Sequence, residues 1–144
     1  MSAPVPRDPG YADRVRASFA KQAFMDLIGA ELVSVAPGAV AIALPLRPEL
    51  CQQHGYAHAG VAWSIADSAA GYAAQSLMAA GDGVLTVELK INLLAPAQGS
   101  RLLAEGRVER AGRRLTVARA DVVVETADGA RRNVATALGT FMCM

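Results

Sequence analysis

Asp67 is the only charged residue in a stretch of small and apolar residues that runs from Ala59 to Gly81. A carboxylate that is removed from water costs several kcal/mol unless it is paired, hydrogen-bonded or protonated. Two interpretations follow: a structural residue bonded to a neighbouring hydroxyl or amide, or a catalytic nucleophile or general base with a shifted pKa. The flanking Ser64 and Ser68 leave a serine nucleophile open, although no histidine lies at a useful helical spacing.

The residues that open this stretch, His58-Ala59-Gly60, stand where a helix should begin. Small residues let a ligand approach the backbone N–H groups of the first turn, which have no acceptor within the helix. Together with the helix dipole, these donors suit an oxyanion or a phosphate. One helix therefore offers an anion site at its start and a carboxylate farther along.

Ala59 and Asp67 are eight residues apart, which corresponds to about 12 Å of helical rise. A nucleophile and an oxyanion donor must meet at one carbonyl group, with reacting atoms about 3–3.5 Å apart. One straight helix cannot bring its own two groups together, whereas two antiparallel copies related by a twofold axis can. The spacing therefore predicts a homodimer with two shared sites.

The amino-acid composition argues against several classes of function. Charged residues make up 19% and apolar residues 53% of the 144-residue chain, which favours one domain that buries further surface in an oligomer. The net charge is +1 without a basic stripe of interleaved aromatics, so nucleic-acid binding is unsupported. Two cysteines, Cys51 and Cys143, make no disulfide framework. His54 and His58 lie four residues apart, but Gly55 and the lack of an HExxH-type carboxylate argue against a metal site.

The stretch from Ala59 to Gly81 is long enough to span a bilayer by helical rise alone. Ala, Gly and Ser dominate it, however, and a carboxylate at its midpoint is costly in lipid. We therefore expect a helix buried in protein and no membrane association. Residues 1–10 are Pro-rich and lack the apolar core of a signal peptide, which predicts a loose arm and a cytoplasmic protein.

The remaining pattern predicts an α+β fold in a single domain over residues 1–144. A helix over 11–28 should end near Gly29, and a strand pair over 30–36 and 39–46 should turn at Pro37-Gly38. The central helix is expected over 59–80. Four strands should follow as an antiparallel meander that curls around this helix, between Gly83 and Pro96 and over 100–110, 114–126 and 130–142.

The first of these four strands has a period of two. One set of side chains is apolar and the other is polar; the sets are Val87, Leu89, Ile91, Leu93 and Thr86, Glu88, Lys90, Asn92. The sheet should therefore pack one side on the helix and turn the other toward solvent or a second subunit.

Gln52, the triplet His58-Ala59-Gly60 and Asp67 follow each other at offsets of six and nine residues. Three further segments accompany them, which are Thr86 to Ala97, Gly112-Arg113 and Asp128-Gly129. In these residues the chain resembles hotdog-fold acyl-CoA thioesterases of the phenylacetate-pathway (PaaI-like) group, relatives of the 4-hydroxybenzoyl-CoA thioesterases. The resemblance covers about residues 19–141. It implies a hotdog fold, in which a curved antiparallel sheet wraps around a long central helix.

The resemblance also implies a role for each matching position. Asp67 corresponds to the catalytic acid, which acts as nucleophile or as general base for water. Ala59 holds the place of the glycine whose backbone N–H polarises the thioester carbonyl, and in the family this donor and the acid come from different subunits. Gln52 corresponds to the residue that orients the water or thioester. His58 corresponds to the histidine that positions the loop and acyl group, and Thr86 to a hydroxyl that helps hold the water.

Two positions depart from the family pattern. Gln replaces the commoner Asn at position 52 and is also found in 4-hydroxybenzoyl-CoA thioesterases, whose acid is Glu, so an aromatic substrate is not implied. Ala59 replaces the first motif glycine, but its backbone N–H is kept if φ is negative. Gly60 keeps the second glycine and is counted with the catalytic site.

The implied partner is an acyl-CoA substrate, and because coenzyme A is part of that substrate, no separate cofactor is expected. Arg113, Arg114 and Lys90 are candidates for contacts with the CoA phosphates. A solvated turn is the simpler interpretation of the arginines. The expected assembly is a homodimer that pairs into a homotetramer.

The favoured function is hydrolysis of an acyl-CoA thioester to a free acid and CoA. One alternative is a hotdog-fold 3-hydroxyacyl-CoA dehydratase, in which His58 would work with an acid across the dimer. A second alternative is a non-catalytic acyl-CoA binding module, which would bind without turnover.

Overall fold

A computed structural model describes residues 3–144 of the protein. In this part of the chain the helices are α1 (Tyr11–Phe19), α2 (Ala23–Ile28) and α3 (Ala59–Gln75). The strands are β1 (Glu31–Ala36), β2 (Ala39–Pro45), β3 (Val84–Leu93), β4 (Arg101–Ala111), β5 (Leu115–Glu125) and β6 (Arg131–Cys143). Wherever both strand bounds were predicted, they agree with the observed ones to within one residue.

The six strands form one antiparallel sheet in the order β1-β2-β4-β5-β6-β3. The predicted pair β1-β2 and the meander β4-β5-β6 are confirmed. The prediction that β3 begins the same meander is wrong, because β4 pairs with β2 along one edge and with β5 along the other. The chain therefore crosses over after β3, which pairs with β6 and becomes an edge strand.

Helix α3 packs on the concave face of this sheet through small residues. Ala66, Ala69, Ala70 and Ala73 are fully buried. A Cβ added at Gly106 of β4 would overlap the Ala69 carbonyl group, so helix and strand approach too closely for a side chain there. This arrangement confirms the predicted α+β hotdog architecture and explains the small-residue composition of the helix.

The predicted helix over 11–28 is wrong in one respect, because it divides into α1 and α2. Gln22 adopts an extended conformation, with φ −78° and ψ 94°, which precedes α2. The end of α2 at Gly29, where φ is +81°, is confirmed.

Helix α3 begins at Ala59 as predicted but ends at Gln75 rather than near residue 80. The guanidinium group of Arg14 donates to the carbonyl oxygens of Gln75 at 3.2 Å and Met78 at 2.9 Å. Arg14 thus donates to the last carbonyl group of α3 and to one in the loop that follows the helix. A contact from α1 therefore helps to define where α3 stops.

The prediction that Thr86 shares a face with Glu88, Lys90 and Asn92 is wrong. A β-bulge lies between Thr86 and Glu88 and shifts the alternation by one residue. Thr86 is paired with Phe141, which is fully buried beneath α3. The bulge therefore turns Thr86 toward the helix and leaves Glu88 on the outer face.

The predicted loose arm is partly wrong. Met1 and Ser2 lie outside the described residues. In residues 3–10 no helix or strand forms, but Arg7 Nε donates to the carbonyl oxygen of Leu77 at 3.2 Å, and the Asp8 carboxylate lies 2.9 Å from Arg14 Nε. This segment is therefore tied to the loop that follows α3 and to α1.

Candidate active site

The start of α3 is held by the side chain that precedes it. His58 is the N-cap residue, and its Nδ1 accepts a hydrogen bond from the Gly60 N–H at 2.9 Å. A neutral imidazole ring that accepts at Nδ1 carries its proton on Nε2. A Cβ at Gly60 would lie 3.0 Å from His58 Nδ1, so glycine keeps this contact free of crowding.

The first turn of α3 leaves one backbone donor available. The Gly60 N–H is used by His58 Nδ1, and the Val61 N–H donates to the His58 carbonyl oxygen at 3.0 Å. The Ala59 N–H has no acceptor among residues 3–144. Ala59 is also exposed, so a ligand or another chain can approach this donor. The predicted oxyanion donor is therefore without an acceptor and accessible, whereas the Gly60 N–H serves the cap, and the role of Ala59 stays a prediction.

Gln52 shapes the loop in front of the helix. Its Oε1 accepts hydrogen bonds from the backbone N–H groups of His54 at 2.5 Å and Tyr56 at 3.4 Å. Its own backbone N–H donates to the Tyr56 carbonyl oxygen at 2.8 Å. Its Nε2 makes no hydrogen bond within residues 3–144 and can donate to a ligand. Gln52, His58 and Ala59 together line a cavity of 500 Å³.

Asp67 lies two turns along α3 and is half-buried. The Thr86 hydroxyl group, turned inward by the bulge, donates to Asp67 Oδ1 at 2.7 Å. Removal from water raises the pKa of the Asp67 carboxyl group, and the hydrogen bond from Thr86 opposes part of this rise. The second oxygen, Oδ2, has no hydrogen-bond partner in residues 3–144. This is a carboxylate with one oxygen oriented and the other available for chemistry.

The two flanking serines do not take part in this arrangement. Ser64 Oγ donates to the Gly60 carbonyl oxygen at 2.6 Å, four residues earlier on the helix. Ser68 is buried, and no histidine contacts either hydroxyl group in the described chain. The residues that surround Asp67 therefore favour the carboxylate over a serine as the reactive group.

Asp67 and Thr86 line a second cavity, with a volume of 340 Å³. Its walls come from α1 and its extension, from the face of α3 that continues toward Gln75, and from the start of β3. It shares no lining residue with the cavity at Ala59. Within one protomer, Asp67 and the Ala59 N–H therefore face separate spaces, as the helical spacing predicts.

Strand β3 links the two cavities. Its first residues line the cavity at Asp67, and its last residue lines the cavity at Ala59. It is an edge strand, with one side unpaired within residues 3–144. Leu85, Val87, Leu93 and Leu94 along it are about half exposed, with exposed fractions of 47–55%. Beside it, Trp63 is 36% exposed, and its indole N–H donates to the Leu89 carbonyl oxygen at 3.4 Å.

The proposed phosphate-binding residues lie outside both cavities. Arg113 and Arg114 are exposed in the turn between β4 and β5. Lys90 is exposed on the outer face of the sheet, where it pairs with Leu138. Their contact with CoA stays a prediction.

One part of the Asp67 cavity was not anticipated from the sequence. Gly71 and Gln75 follow Asp67 at intervals of four residues and line the same cavity, together with Tyr72. Residues four apart share a helix face, so the sequence already indicated that Gly71 and Gln75 lie on the same face of α3 as Asp67. The sequence pattern did not indicate that Gln22 contributes to this cavity. Gln22 donates to Tyr72 Oη at 2.8 Å, and this contact depends on how α1 and α2 pack against α3.

Within residues 3–144, no cluster of three or more His, Cys, Asp or Glu side chains is arranged to hold a metal ion. None of the helices in this range combines the length and apolarity needed to cross a membrane.

Comparison with known proteins gives a consistent set of matches. Residues 54–129 match the family model described as the thioesterase superfamily. A thioesterase family protein from Silicibacter pomeroyi is 45% identical, with a TM-score of 0.91 over 94% of this chain and 98% of its own. A curated protein of Saccharolobus solfataricus, named as a candidate esterase, is 34% identical over 122 residues, which are 85% of this chain and 78% of that protein. The PaaI protein from the E. coli phenylacetic acid degradation operon is 19% identical and has a TM-score of 0.83 over 96% of both chains, which shows the common fold alone.

Proposed function

Because the chain belongs to the thioesterase superfamily and is a hydrolase acting on thioesters, we propose that its substrates are acyl-CoA thioesters. Asp67 is the reactive carboxylate, and the Ala59 N–H is the oxyanion donor. The observation that carries this assignment is the half-buried Asp67, which is oriented by Thr86 at 2.7 Å, lines a cavity and has a second oxygen without a hydrogen-bond partner in residues 3–144. Half-burial and a raised pKa are typical of a carboxylate that is kept reactive.

The reaction converts a thioester and water into a carboxylic acid and a thiol. On the nucleophilic route, Asp67 Oδ2 bonds to the carbonyl carbon, the C–S bond breaks to release CoA, and water hydrolyses the resulting anhydride. On the general-base route, Asp67 takes a proton from the water that attacks, and this proton then goes to the sulfur. Both routes place negative charge on the carbonyl oxygen, where a preorganised N–H donor stabilises the transition state by about 3–4 kcal/mol.

The two routes differ in where the oxygen of water first appears. A single turnover in heavy-oxygen water labels Asp67 itself on the nucleophilic route, because water can attack the anhydride at the Asp67 carbonyl carbon. On the general-base route the label enters only the released acid. Mass spectrometry of the peptide that contains Asp67 distinguishes them.

The proposed assembly is a homodimer that pairs β3 with β3 of a second copy. Its support is the unpaired edge of β3 and the apolar residues exposed along it. In an antiparallel pair, the start of β3 in one copy lies beside the end of β3 in the other. The Asp67 cavity of one protomer then adjoins the Ala59 cavity of its partner. Leu115 and Leu138, about half exposed on the outer face, support a further pairing to a homotetramer, which sedimentation analysis would test.

The two alternatives are less well supported by the site. A dehydratase needs His58 as a base, but His58 Nδ1 already accepts from Gly60, and in the neutral ring Nε2 then carries the proton. A binding module needs no oriented carboxylate, whereas Asp67 is held by Thr86.

The test is an assay of wild-type protein on a panel of acyl-CoA esters, with free thiol and free acid both measured. We expect equal amounts of thiol and acid. Formation of an unsaturated product from 3-hydroxyacyl-CoA, without thiol release, would instead indicate the dehydratase. Saturable binding of every ester without any product would indicate the binding module.

Complementation tests the shared site. Asp67→Asn removes the carboxylate and Ala59→Pro removes the N–H donor, so each homodimer should be inactive. A mixed dimer has one site with both groups intact, contributed by opposite chains, and random mixing should restore about a quarter of wild-type activity. No recovery after confirmed subunit exchange would contradict the shared site and place both groups in a single protomer.

A further inference from the structure

The cavity at Ala59 is the first of three cavities that adjoin one another along the protein surface. It shares two lining residues, Gln52 and Ala97, with a second cavity of 480 Å³. The second cavity shares Gln98 with a third, of 320 Å³, which lies at the hairpin between β5 and β6. Together they form a surface track that begins at the exposed Ala59 N–H and ends at Arg132.

Two contacts of the segment between β3 and β4 hold the ends of this surface track at a fixed separation. The Ala57 N–H, in the loop before α3, donates to the Ala97 carbonyl oxygen at 2.8 Å. Arg132 Nη2, at the start of β6, donates to the Pro96 carbonyl oxygen at 2.5 Å. Both contacts lie within one protomer, so the surface track does not depend on how the protein assembles.

The length of the surface track fits the pantetheine arm of CoA. From Ala59, two residues lead back to Ala57, one hydrogen bond crosses to Ala97, and Pro96 is the next residue. This path is at most roughly 16 Å long. The arm has about 13 bonds between the sulfur and the first phosphorus, so it extends to about 15 Å. An arm that begins at the Ala59 N–H is therefore long enough to place a phosphate near Arg132.

The middle of the surface track has the chemical character of this arm, which carries two amide groups on a hydrocarbon chain. Three glutamines line the second cavity, Gln52, Gln53 and Gln98, together with the apolar side chains of Leu46 and Pro48. Gln53 and Gln98 are exposed, and the Gln98 side chain makes no hydrogen bond within residues 3–144. A side-chain amide can both donate to and accept from another amide, so these glutamines suit the arm.

The far end of the surface track is positively charged. Arg131 lies 2.5 Å from the Glu125 carboxylate, which also pairs with Arg101. Asp128, in the turn between β5 and β6, is hydrogen-bonded within that turn. Arg132 is exposed and has no carboxylate partner among residues 3–144. A guanidinium group with free N–H donors is the side chain best suited to bind a phosphate.

A second arginine on the surface track is already occupied. Arg47 lines the middle cavity, but its two Nη atoms donate to the carbonyl oxygens of Ile28 at 2.7 Å and Leu27 at 3.0 Å. Its Nε lies 3.7 Å from the Glu49 carboxylate. Arg47 therefore holds the end of α2, and its donors are not free for a ligand.

We propose that this surface track binds the CoA half of the substrate, with the pantetheine arm along the glutamines and the phosphates at Arg131 and Arg132. This inference rests on the proposed function, because the thioester carbonyl must lie at the Ala59 N–H. The acyl group then points away from the surface track, into the Asp67 cavity of the partner subunit. Among the described residues that line that cavity, none is a lysine or an arginine, so it suits the uncharged acyl half rather than the phosphates.

The experiment compares two thioesters of the same acyl group, one of CoA and one of pantetheine, which lacks all phosphates. The ratio of kcat/KM for the CoA ester to that for the pantetheine ester isolates the phosphates, because both esters have the same carbonyl group and arm. We expect this ratio to be roughly tenfold or more for wild type and to fall toward one in Arg132→Gln. A general structural defect would lower both values and leave the ratio unchanged.

Gln98 allows a test in both directions, because its exposed side chain can be changed without loss of a hydrogen bond within residues 3–144. Gln98→Glu places a negative charge beside the path of the phosphates and should lower the ratio roughly threefold, whereas Gln98→Lys should raise it by a similar factor. Both effects should shrink as salt is added. Arg107→Gln removes a positive charge from an exposed position outside the three cavities and should keep the wild-type ratio.

The outcomes separate this inference from the proposed function. If wild type hydrolyses both esters equally well, the inference is overturned and thioester hydrolysis stands. If it hydrolyses neither, the proposed function fails and the inference fails with it. A preference for the CoA ester that survives unchanged in both Gln98 variants overturns the inference even if Arg132→Gln does not fold. Loss of that preference in the double variant Arg113→Gln, Arg114→Gln alone would place the phosphates at the turn between β4 and β5 instead.

Discussion

The two groups proposed to act on the thioester, the Asp67 carboxylate and the Ala59 N–H, lie in different local environments. At Asp67, the protomer itself supplies everything that tunes the group, which is half-buried and oriented by Thr86 from β3. At Ala59, the protomer supplies no partner for the backbone N–H. The neighbouring N–H groups of Gly60 and Val61 are hydrogen-bonded, and the Ala59 N–H is left exposed. This difference follows from the chemistry of the two groups. A titratable group needs a fixed local environment to set its pKa, whereas a backbone N–H donor only needs to have no other hydrogen-bond acceptor.

The largest expected effect comes from removing the carboxylate. Asp67→Asn keeps the size of the side chain but removes the nucleophile or base, so kcat should fall roughly 10²–10⁴-fold with little change in KM. Steady-state kinetics on the best acyl-CoA ester measures this change.

The chain offers a matched control on the outer face of the sheet. Thr136 donates to Asp121 Oδ1 at 2.7 Å, the same contact and distance as between Thr86 and Asp67. Asp121→Asn should leave turnover close to wild type. Equal losses in both variants would indicate a general structural effect and remove Asp67 from its role.

The next effect comes from removing the backbone donor. Proline is favoured at the first position of a helix, and His58 already has the extended conformation that proline requires of its predecessor, with φ −62° and ψ 139°. Ala59→Pro should therefore delete the N–H without disturbing α3, and kcat should fall roughly 10²–10³-fold.

Ala59→Ser is the control for this change, because it keeps the N–H and alters only the side chain. We expect it to retain most of the activity, with both variants melting near the wild-type temperature. Wild-type turnover by a folded Ala59→Pro protein would eliminate this amide as the oxyanion donor.

A smaller effect should appear in the pH profile. Burial raises the pKa of Asp67 and the Thr86 hydroxyl group lowers it, so Thr86→Val should raise this pKa further. Since the ionised carboxylate is the proposed reactive form, activity should disappear as pH falls through this pKa, and the acid limb of kcat/KM should move to higher pH. Thr140→Val removes a comparable hydroxyl that donates to Glu88 on the outer face, and its acid limb should stay in place.

The smallest effect concerns stability. Because the folded protein holds the Asp67 proton more tightly than the unfolded chain does, the stability contributed by Asp67 is present at low pH and is lost as pH rises through the folded pKa. Asp67→Asn carries no such loss, so its melting temperature should exceed that of wild type by a few degrees at neutral pH. Thermal melts of both proteins from acid to neutral pH should show the two curves converging toward acid. Curves that stay parallel would mean that the pKa of Asp67 is not raised in the folded protein.

Fixed offsets between residues identified the candidate site, and local periodicity identified most of the helices and strands. Gln52, His58, Ala59 and Asp67 were predicted as site residues in this way, and the helix does begin at Ala59. Thr86 was identified by resemblance but placed on the wrong face. The β-bulge between Thr86 and Glu88 adds one residue to β3, so residues before and after it alternate between the two faces of the sheet in opposite phase. The pattern of apolar and polar residues does not show where this change of phase occurs.

Gln75 and its neighbours were missed for another reason. Their helical spacing from Asp67 was visible, but a buried glutamine in an alanine-rich helix has no distinctive chemistry until its partners are known. Whether Oε1 is satisfied depends on the Asp82 carbonyl and on the docking of α1, which are contacts between segments distant in the chain.

The amino-acid sequence by itself determined which groups are candidates for the reaction and how far apart they lie on their helix, because residue type and helical rise are local properties. Only the tertiary structure decided which strand became the sheet edge, which hydroxyl group met Asp67 and which polar atoms were left without partners. The physical reason is that strand pairing, bulges and buried hydrogen bonds depend on competition among distant segments for the same edges and donors. In this protein that competition places β3 at the edge, between the two halves of the proposed site.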